Sequence, residues 1–488
     1  MGPAYKKCWP FSFTCIILSY PKTESKSKRQ ARNNNQSRQI KNENPQNCAK
    51  LESTKTTRSR VERIFIMRHF STMNSNIKRG ILRFSEKIST GLTRPDFKFI
   101  TQMVYGILSA QSCHLSEISR ALHENIALKK TIERLSRHLN TFSDEEILFD
   151  NYIKKIKGIF SGRTILIIDG SDITKPCSPN MEYISRIRDG STGEYGDGYY
   201  TLVVTALTPE RKMPIGVYTK VYSTKEPGFI SEDTEVLNAL DFISKHFKKG
   251  NIRAFDRGYD ANIYYERLID QKEAFIIRAK KNRNVIHKGQ KINILALTQQ
   301  YKGKYCLKFQ KKNGKKVDCK ISIVPVSLPC RPDIQLNLVI CRGFGQEPLM
   351  LLTNLHSDDK QLSVVITKVY LLRWRIEEFY RFKKQQLDFE GFRVRSIKSI
   401  RNLDMLVTIA IGYIGLISEK SDERLIVMEL IQVSKRIFGT PKFVFYAIAD
   451  GLFFVCAKST QSLSSMLRKK HKDAQLSLIA FPGFFCSA

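Results

Sequence analysis

The sequence predicts an α/β protein with a helical N-terminal domain and an all-β insertion. Three observations predict it. A helical hydrophobic period over 115–139 gives way after 160 to short β-branched runs and an amphipathic helix. Two of those runs end on an aspartate, Asp169 and Asp256. A block from 278 to 345 then reads as strands alone, before a helical pattern resumes near Lys360.

In chain order, residues 1–70 hold 15 Lys/Arg against 4 Asp/Glu, with polar runs such as 30–39. Such a composition buries no core. Residues 1–72 therefore read as a basic disordered extension: either an arm touching nucleic acid or a solvated segment upstream of a true start at Met67 or Met73. The first 20 residues resemble a signal peptide only superficially, because Pro10 and Ser12 interrupt the apolar run. Residues 73–150 form the helical domain. Leu115, Ile118 and Leu122, then Ile132, Leu135 and Leu139, mark two short helices. With Arg120, Lys129, Lys130, Arg134 and Arg137 around them, they read as a DNA-binding helix–turn–helix or as a basic bundle.

Residues 151–277 read as the first part of an α/β core. Strands are expected over 164–168, 199–207 and 252–255, and a helix over 232–247. In the 278–345 block, Asn313-Gly314 between two apolar runs is a strong hairpin signal. From 278 to 320 there are 14 Lys/Arg and one acid, Asp318, an imbalance that suits a phosphate-facing surface. Residues 346–420 resume the core, with a strand over 349–353 and a helix over 360–387. Residues 421–488 read as a helical tail.

The whole chain has 488 residues, 81 Lys+Arg and 46 Asp+Glu, a net charge of +35. That excess suits a polyanionic partner and argues against an ordinary metabolic enzyme. It does not choose between DNA, RNA and an anionic membrane. The apolar stretches 405–417 and 443–457 fall short of the ~18 residues that span a bilayer and read as core helices. The 11 cysteines include no C-x-x-C pair, which fits reduced thiols in the cytosol. Cys306, Cys319, Cys330 and Cys341 are spaced too widely for zinc knuckles and read as strand residues.

Asp169 and Asp256, each at a predicted strand end, lie where catalytic groups gather in α/β sheets. Two such acids in a basic protein suggest metal-assisted work on phosphodiesters. Tyr370, Arg373, Glu377 and Lys384 follow at offsets 0, 3, 7 and 14. At ~100° per residue they share roughly a 60° arc of one helix face. A solvated ion-pair stripe explains such a face poorly when two strand-end aspartates accompany it.

Tyr-x₂-Arg-x₃-Glu-x₆-Lys, preceded by Ile-Ile-Asp169-Gly-Ser and Phe-Asp256-Arg-Gly-Tyr, resembles the DDE transposases of bacterial insertion sequences, in the subgroup with the YREK signature. The resemblance covers residues 100–415. It implies an RNase H-like mixed sheet flanked by helices, with the β-rich insertion between the second Asp and the Glu. It implies Asp169, Asp256 and Glu377 as catalytic residues holding two Mg²⁺ ions, for which Mn²⁺ substitutes. Tyr370, Arg373 and Lys384 would contact transposon-end DNA, with Arg257 and Arg375 adding phosphate contacts. The partners implied are double-stranded DNA, as inverted-repeat ends and as target, and a second copy on paired ends. No membrane is implied, and the setting is a prokaryotic cytoplasm and nucleoid.

In that family an activated water cuts a strand at the element's end, and the freed 3′-OH attacks target DNA. Asp172, Asp260 and Glu378 are the nearest alternatives; strand-end position and helix face favour Asp169, Asp256 and Glu377. Family members often hold a flipped base with a Trp, whereas this chain has only Trp9 and Trp374. Helix geometry turns Trp374 off the polar face toward the core, which leaves that role to a Tyr or Phe, or to nothing. Residues 190–200 read as a hairpin and lack the Lys-Ser/Thr of a phosphate loop. Two other functions compete: a catalytically inactive or repurposed DNA-binding relative, and an RNase H-like nuclease without strand transfer.

Overall fold

The computed structural model describes residues 70–457 apart from 161–162, 191, 311–315, 357–359, 421–422 and 438, together with 462, 463 and 467. The 1–72 extension, except 70–72, lies outside the described residues, as do the Asn313-Gly314 turn and most of the tail after 457. The chain divides into two compact units. The larger comprises Ile66–Ile277 and Lys368–Ala488; the smaller, in its described part, is Arg278–Thr367.

The larger unit is a mixed sheet flanked by helices. Its strands are β1 (Ile165–Thr174), β2 (Ser185–Arg188), β3 (Tyr195–Leu207), β4 (Pro214–Tyr222), β5 (Ile252–Phe255) and β6 (Phe275–Arg278). β1 pairs antiparallel with β3 and parallel with β5, which pairs parallel with β6. β2 and β4 both pair antiparallel with β3. This is the RNase H-like arrangement that the resemblance implies. The run Ile165–Ile168 is buried throughout, as a strand covered on both faces requires.

Helices α1 (70–88), α2 (Arg94–Ala110), α3 (Leu115–Ala121), α4 (Leu128–Thr141) and α5 (Glu145–Ile156) precede the sheet. α2 starts where the Thr93 side chain accepts from the Asp96 amide. α6 (Glu232–His246) is capped by Ser231, with Glu232, Asp233 and Glu235 in its first turn and Lys245 and His246 in its last, matching the helix dipole. α7 is Asn262–Asp270.

In the smaller unit, β7 (Asn284–His287) and β8 (Gln290–Asn293) form a hairpin. β9 (Tyr305–Gln310), β10 (Lys316–Leu328), β11 (Arg331–Arg342) and β12 (Leu349–Thr353) make an antiparallel sheet. The block is not all strand: a short helix, α8 (Ile294–Gln300), interrupts it, because the Asn293 side chain caps the Leu295 and Ala296 amides. Cys319 and Cys341 are buried on strands, and Cys306 is exposed.

The helix expected over 360–387 is not one regular α-helix. It runs as α9 (Lys360–Leu371), a 3₁₀ turn (Leu372–Trp374), α10 (Arg375–Arg381) and a π-turn (Phe382–Gln386). Next come α11 (Ile397–Glu419), α12 (Arg424–Val433) and α13 (Phe445–Ala457). α11 extends past the 405–417 stretch to 23 residues, so by length and composition it could cross a membrane. Its apolar window is 94% buried inside the protein, which makes it a core helix. Its glycines permit close approach: a Cβ on Gly412 would collide with the Tyr152 hydroxyl, and one on Gly415 with the Ile215 side chain.

Candidate active site

Asp169 does not end its strand. Parallel pairing with β5 stops at Ile168–Phe255, but antiparallel pairing with β3 carries β1 on to Thr174. Asp169 therefore sits at the step where β5 runs out, and Asp256 is the first residue beyond β5. The step puts both acids at the same level of the sheet while leaving them half-exposed.

The α9–α10 course brings its polar residues to these acids. The Tyr370 hydroxyl donates to Asp256 Oδ1 at 3.0 Å. Arg373 Nη1 donates to Asp169 Oδ2 at 2.7 Å, its Nε lies 3.9 Å from Asp256 Oδ1, and its Nη2 lies 3.6 Å from Glu377 Oε1. One guanidinium, its side chain only 8% exposed, thus stands among three carboxylates from β1, the β5 end and α10. A 3₁₀ turn winds tighter than an α-helix and a π-turn looser. In turn angle the two deviations roughly offset each other.

Lys384 Nζ lies 3.0 Å from Glu390 and 3.5 Å from Asp172. The other Asp172 oxygen accepts from the Gly190 amide at 3.2 Å, which ties the β2–β3 hairpin to Lys384. Among the remaining candidates, Asp260 is buried and accepts from the Tyr265 hydroxyl, and Glu378 pairs with Arg381. Arg257 is exposed and Arg375 half-exposed, and neither forms an ion pair among the described residues. Trp374 is not core: it lies in the 3₁₀ turn and is 37% exposed. Sequence reasoning missed Tyr380, whose hydroxyl donates to the Asp169 carbonyl at 2.7 Å. The only signal was its place one turn after Glu377.

The electrostatics follow from this crowding. Burial, and to a lesser extent Asp256 and Glu377, push the Asp169 carboxyl up to about 7 against the opposing pull of Arg373. Burial also raises Glu377, with Arg373 again opposing. Burial works against the charge on Arg373, but the surrounding acids more than offset it and hold the group above its ordinary value. The site carries three acids and one buried base, and it favours added positive charge.

Among the described residues no group of three or more His, Cys, Asp or Glu side chains is arranged to hold a metal ion; the Arg373 guanidinium stands between these three acids. The donor set nevertheless fits a hard divalent cation, because it offers carboxylate oxygens alone, already gathered around a positive group.

The Transposase DDE domain family matches residues 160–413, which is 254 of the 488 residues. No curated protein sequence matches the chain. Among solved structures, a piggyBac transposase synaptic complex with hairpin DNA is similar at a TM-score of 0.41 and 11% identity, over 78% of this chain and 79% of that one. The NurA nuclease from Sulfolobus solfataricus is similar at a TM-score of 0.22 and 12% identity, over 50% of this chain and 83% of that one. The matched family segment spans more than half the chain and contains Asp169, Asp256, Arg373 and Glu377; the protein belongs to the Transposase DDE domain family.

Proposed function

We propose that the protein is an active transposase of the YREK subgroup, cutting DNA at element ends and joining the freed 3′-OH to target DNA. The observation that carries this reading is the convergence of Asp169, Asp256 and Glu377, from three separate elements, on one buried guanidinium. These three carboxylates would hold two Mg²⁺ ions, with Mn²⁺ as a substitute. When bound, the ions supply Lewis acidity toward phosphate oxygens and make water a stronger nucleophile.

The chain's own residues orient and hold. Tyr380 and Arg373 fix Asp169, and Tyr370 fixes Asp256. Tyr370, Arg373 and Lys384 face end DNA, where the planar fork of Arg373 also suits a phosphate. Arg257 and Arg375, which form no ion pair among the described residues, add phosphate contacts. Hydrolysis of one phosphodiester leaves a 3′-OH and a 5′-phosphate. That hydroxyl then attacks a target phosphodiester and displaces the target's own 3′-oxygen, so each bond made replaces one broken. The enzyme works as a homodimer bridging two ends in the nucleoid of a prokaryote.

The test uses a duplex carrying the DNA that flanks the gene. Wild type nicks it with Mg²⁺ and joins the product to plasmid, whereas Glu377→Ala binds it nearly as well and cuts nothing. Undiminished cleavage by that variant overturns the assignment. Cleavage without joined product favours a nuclease instead.

A further inference from the structure

Lys383 and Lys384 are adjacent in sequence and opposite in fate. Lys384 reaches Asp172 and Glu390 at the site. Lys383 is buried in the core, its side chain 2% exposed, and its Nζ pairs with Asp404 of α11, itself 1% exposed. The same Nζ lies 3.3 Å from the Thr408 hydroxyl and 4.7 Å over the Phe389 ring. The second Asp404 oxygen accepts from Thr219 on β4. All of these groups lie in the larger unit.

The pair coincides with the π-turn Phe382–Gln386. π-turns are rare and concentrate at functional positions. Phe382, at the start of the turn, is buried against Phe443, Phe445 and Tyr446. The turn is therefore held on its core side by both an aromatic cluster and a buried charge. A buried ion pair is weak evidence of stability, because apolar residues of similar volume often serve as well or better. What such a pair supplies is registry: one lysine has one carboxylate to meet, and the backbone turns to let it.

We propose that the Lys383–Asp404 pair is a register lock that sets the π-turn and thereby holds Lys384 at the site for end DNA. Lys383 and Asp404 are positioning residues; they touch neither DNA nor the reacting atoms. The inference rests on the transposase reading and deepens it.

The test replaces the pair, since Lys383→Met alone would strand a buried carboxylate and unfold the core. The variant Lys383→Met/Asp404→Leu keeps the volume and removes both charges. We expect it to melt no lower than wild type, yet to need roughly tenfold more end DNA for half-maximal cleavage, with turnover at saturation little changed. Adding Lys384→Ala to it should then cost far less than Lys384→Ala costs in wild type, because the two changes act through one group. Wild-type half-saturation by the double variant, or full additivity with Lys384→Ala, overturns the lock. A wild-type protein that neither binds nor nicks flanking DNA overturns instead the transposase reading beneath it.

Discussion

The two units use charge in opposite ways. The larger unit buries and pairs several of its charges: Arg373 among three acids, Lys383 on Asp404, Arg253 on Glu273. In the smaller unit Lys288, Lys291, Lys302, Lys304, Lys308 and Lys320 are exposed and form no ion pair among the described residues. Paired, desolvated charge is expensive to assemble and fixes geometry. Exposed like charge fixes nothing but attracts a polyanion at long range. If the exposed lysines of the smaller unit hold DNA, long-range attraction and the geometry of the site should be separable by mutation.

A large effect on cleavage is expected at Arg373. Arg373→Ala leaves three carboxylates without their counter-charge and removes one phosphate contact, and we expect cleavage to fall by about 10²–10³-fold, with duplex binding weakened far less. Arg373→Lys keeps the charge but loses the fork and should fall between. Single-turnover cleavage measured beside a binding titration checks both. A loss of binding as large as the loss of cleavage would show that Arg373 serves affinity rather than the acids.

Comparable in size is the effect expected at Arg253, fully buried with Nη2 2.7 Å from Glu273. Glu273→Ala strands that guanidinium and should cost about 3–5 kcal/mol of stability, read as a lowered urea midpoint. An unshifted midpoint would mean that water reaches the site. In the smaller unit, changing Lys288, Lys291, Lys302 and Lys304 together to Gln should flatten the salt dependence of DNA binding. The slope of log K against log salt should fall by about 0.9 for each phosphate no longer neutralised, with cleavage at saturating DNA unchanged. A loss of turnover there would erase the division of labour. The smallest effect is expected from Tyr380→Phe, which removes one hydrogen bond to the Asp169 carbonyl, on the order of 0.5–1.5 kcal/mol. A several-fold slower cleavage with normal melting would be its signature.

Much of this was legible in the sequence. The alternation of strand and helix after 160, the acids Asp169 and Asp256, and the Tyr370, Arg373, Glu377, Lys384 face all follow from local pattern; the structure gathers the first five of those residues, while Lys384 meets Asp172 and Glu390 instead. What was not legible depends on partners far along the chain. β1 continues past Asp169 because β3 pairs with it there, and no residue of β1 announces that. The 3₁₀ and π segments leave no mark on a 100° periodicity, since their deviations offset. Trp374 looked like core because burial was inferred from an ideal helix. Nothing local to Lys383 marks it for burial, because its carboxylate partner, Asp404, lies on α11.

The step at the end of β5 has a further consequence. Asp169 and Arg373 are 204 residues apart, and Asp256 and Tyr370 are 114 apart. Neither pairing can form until the chain has been made through Tyr370 and Arg373, and long-range closures of this kind are the slow part of folding. A growing or interrupted chain therefore carries the acids without the site. Assembly of this arrangement is thus deferred until about three quarters of the chain has been made, and a product that stops short of Arg373 carries two of the acids without the guanidinium that gathers them.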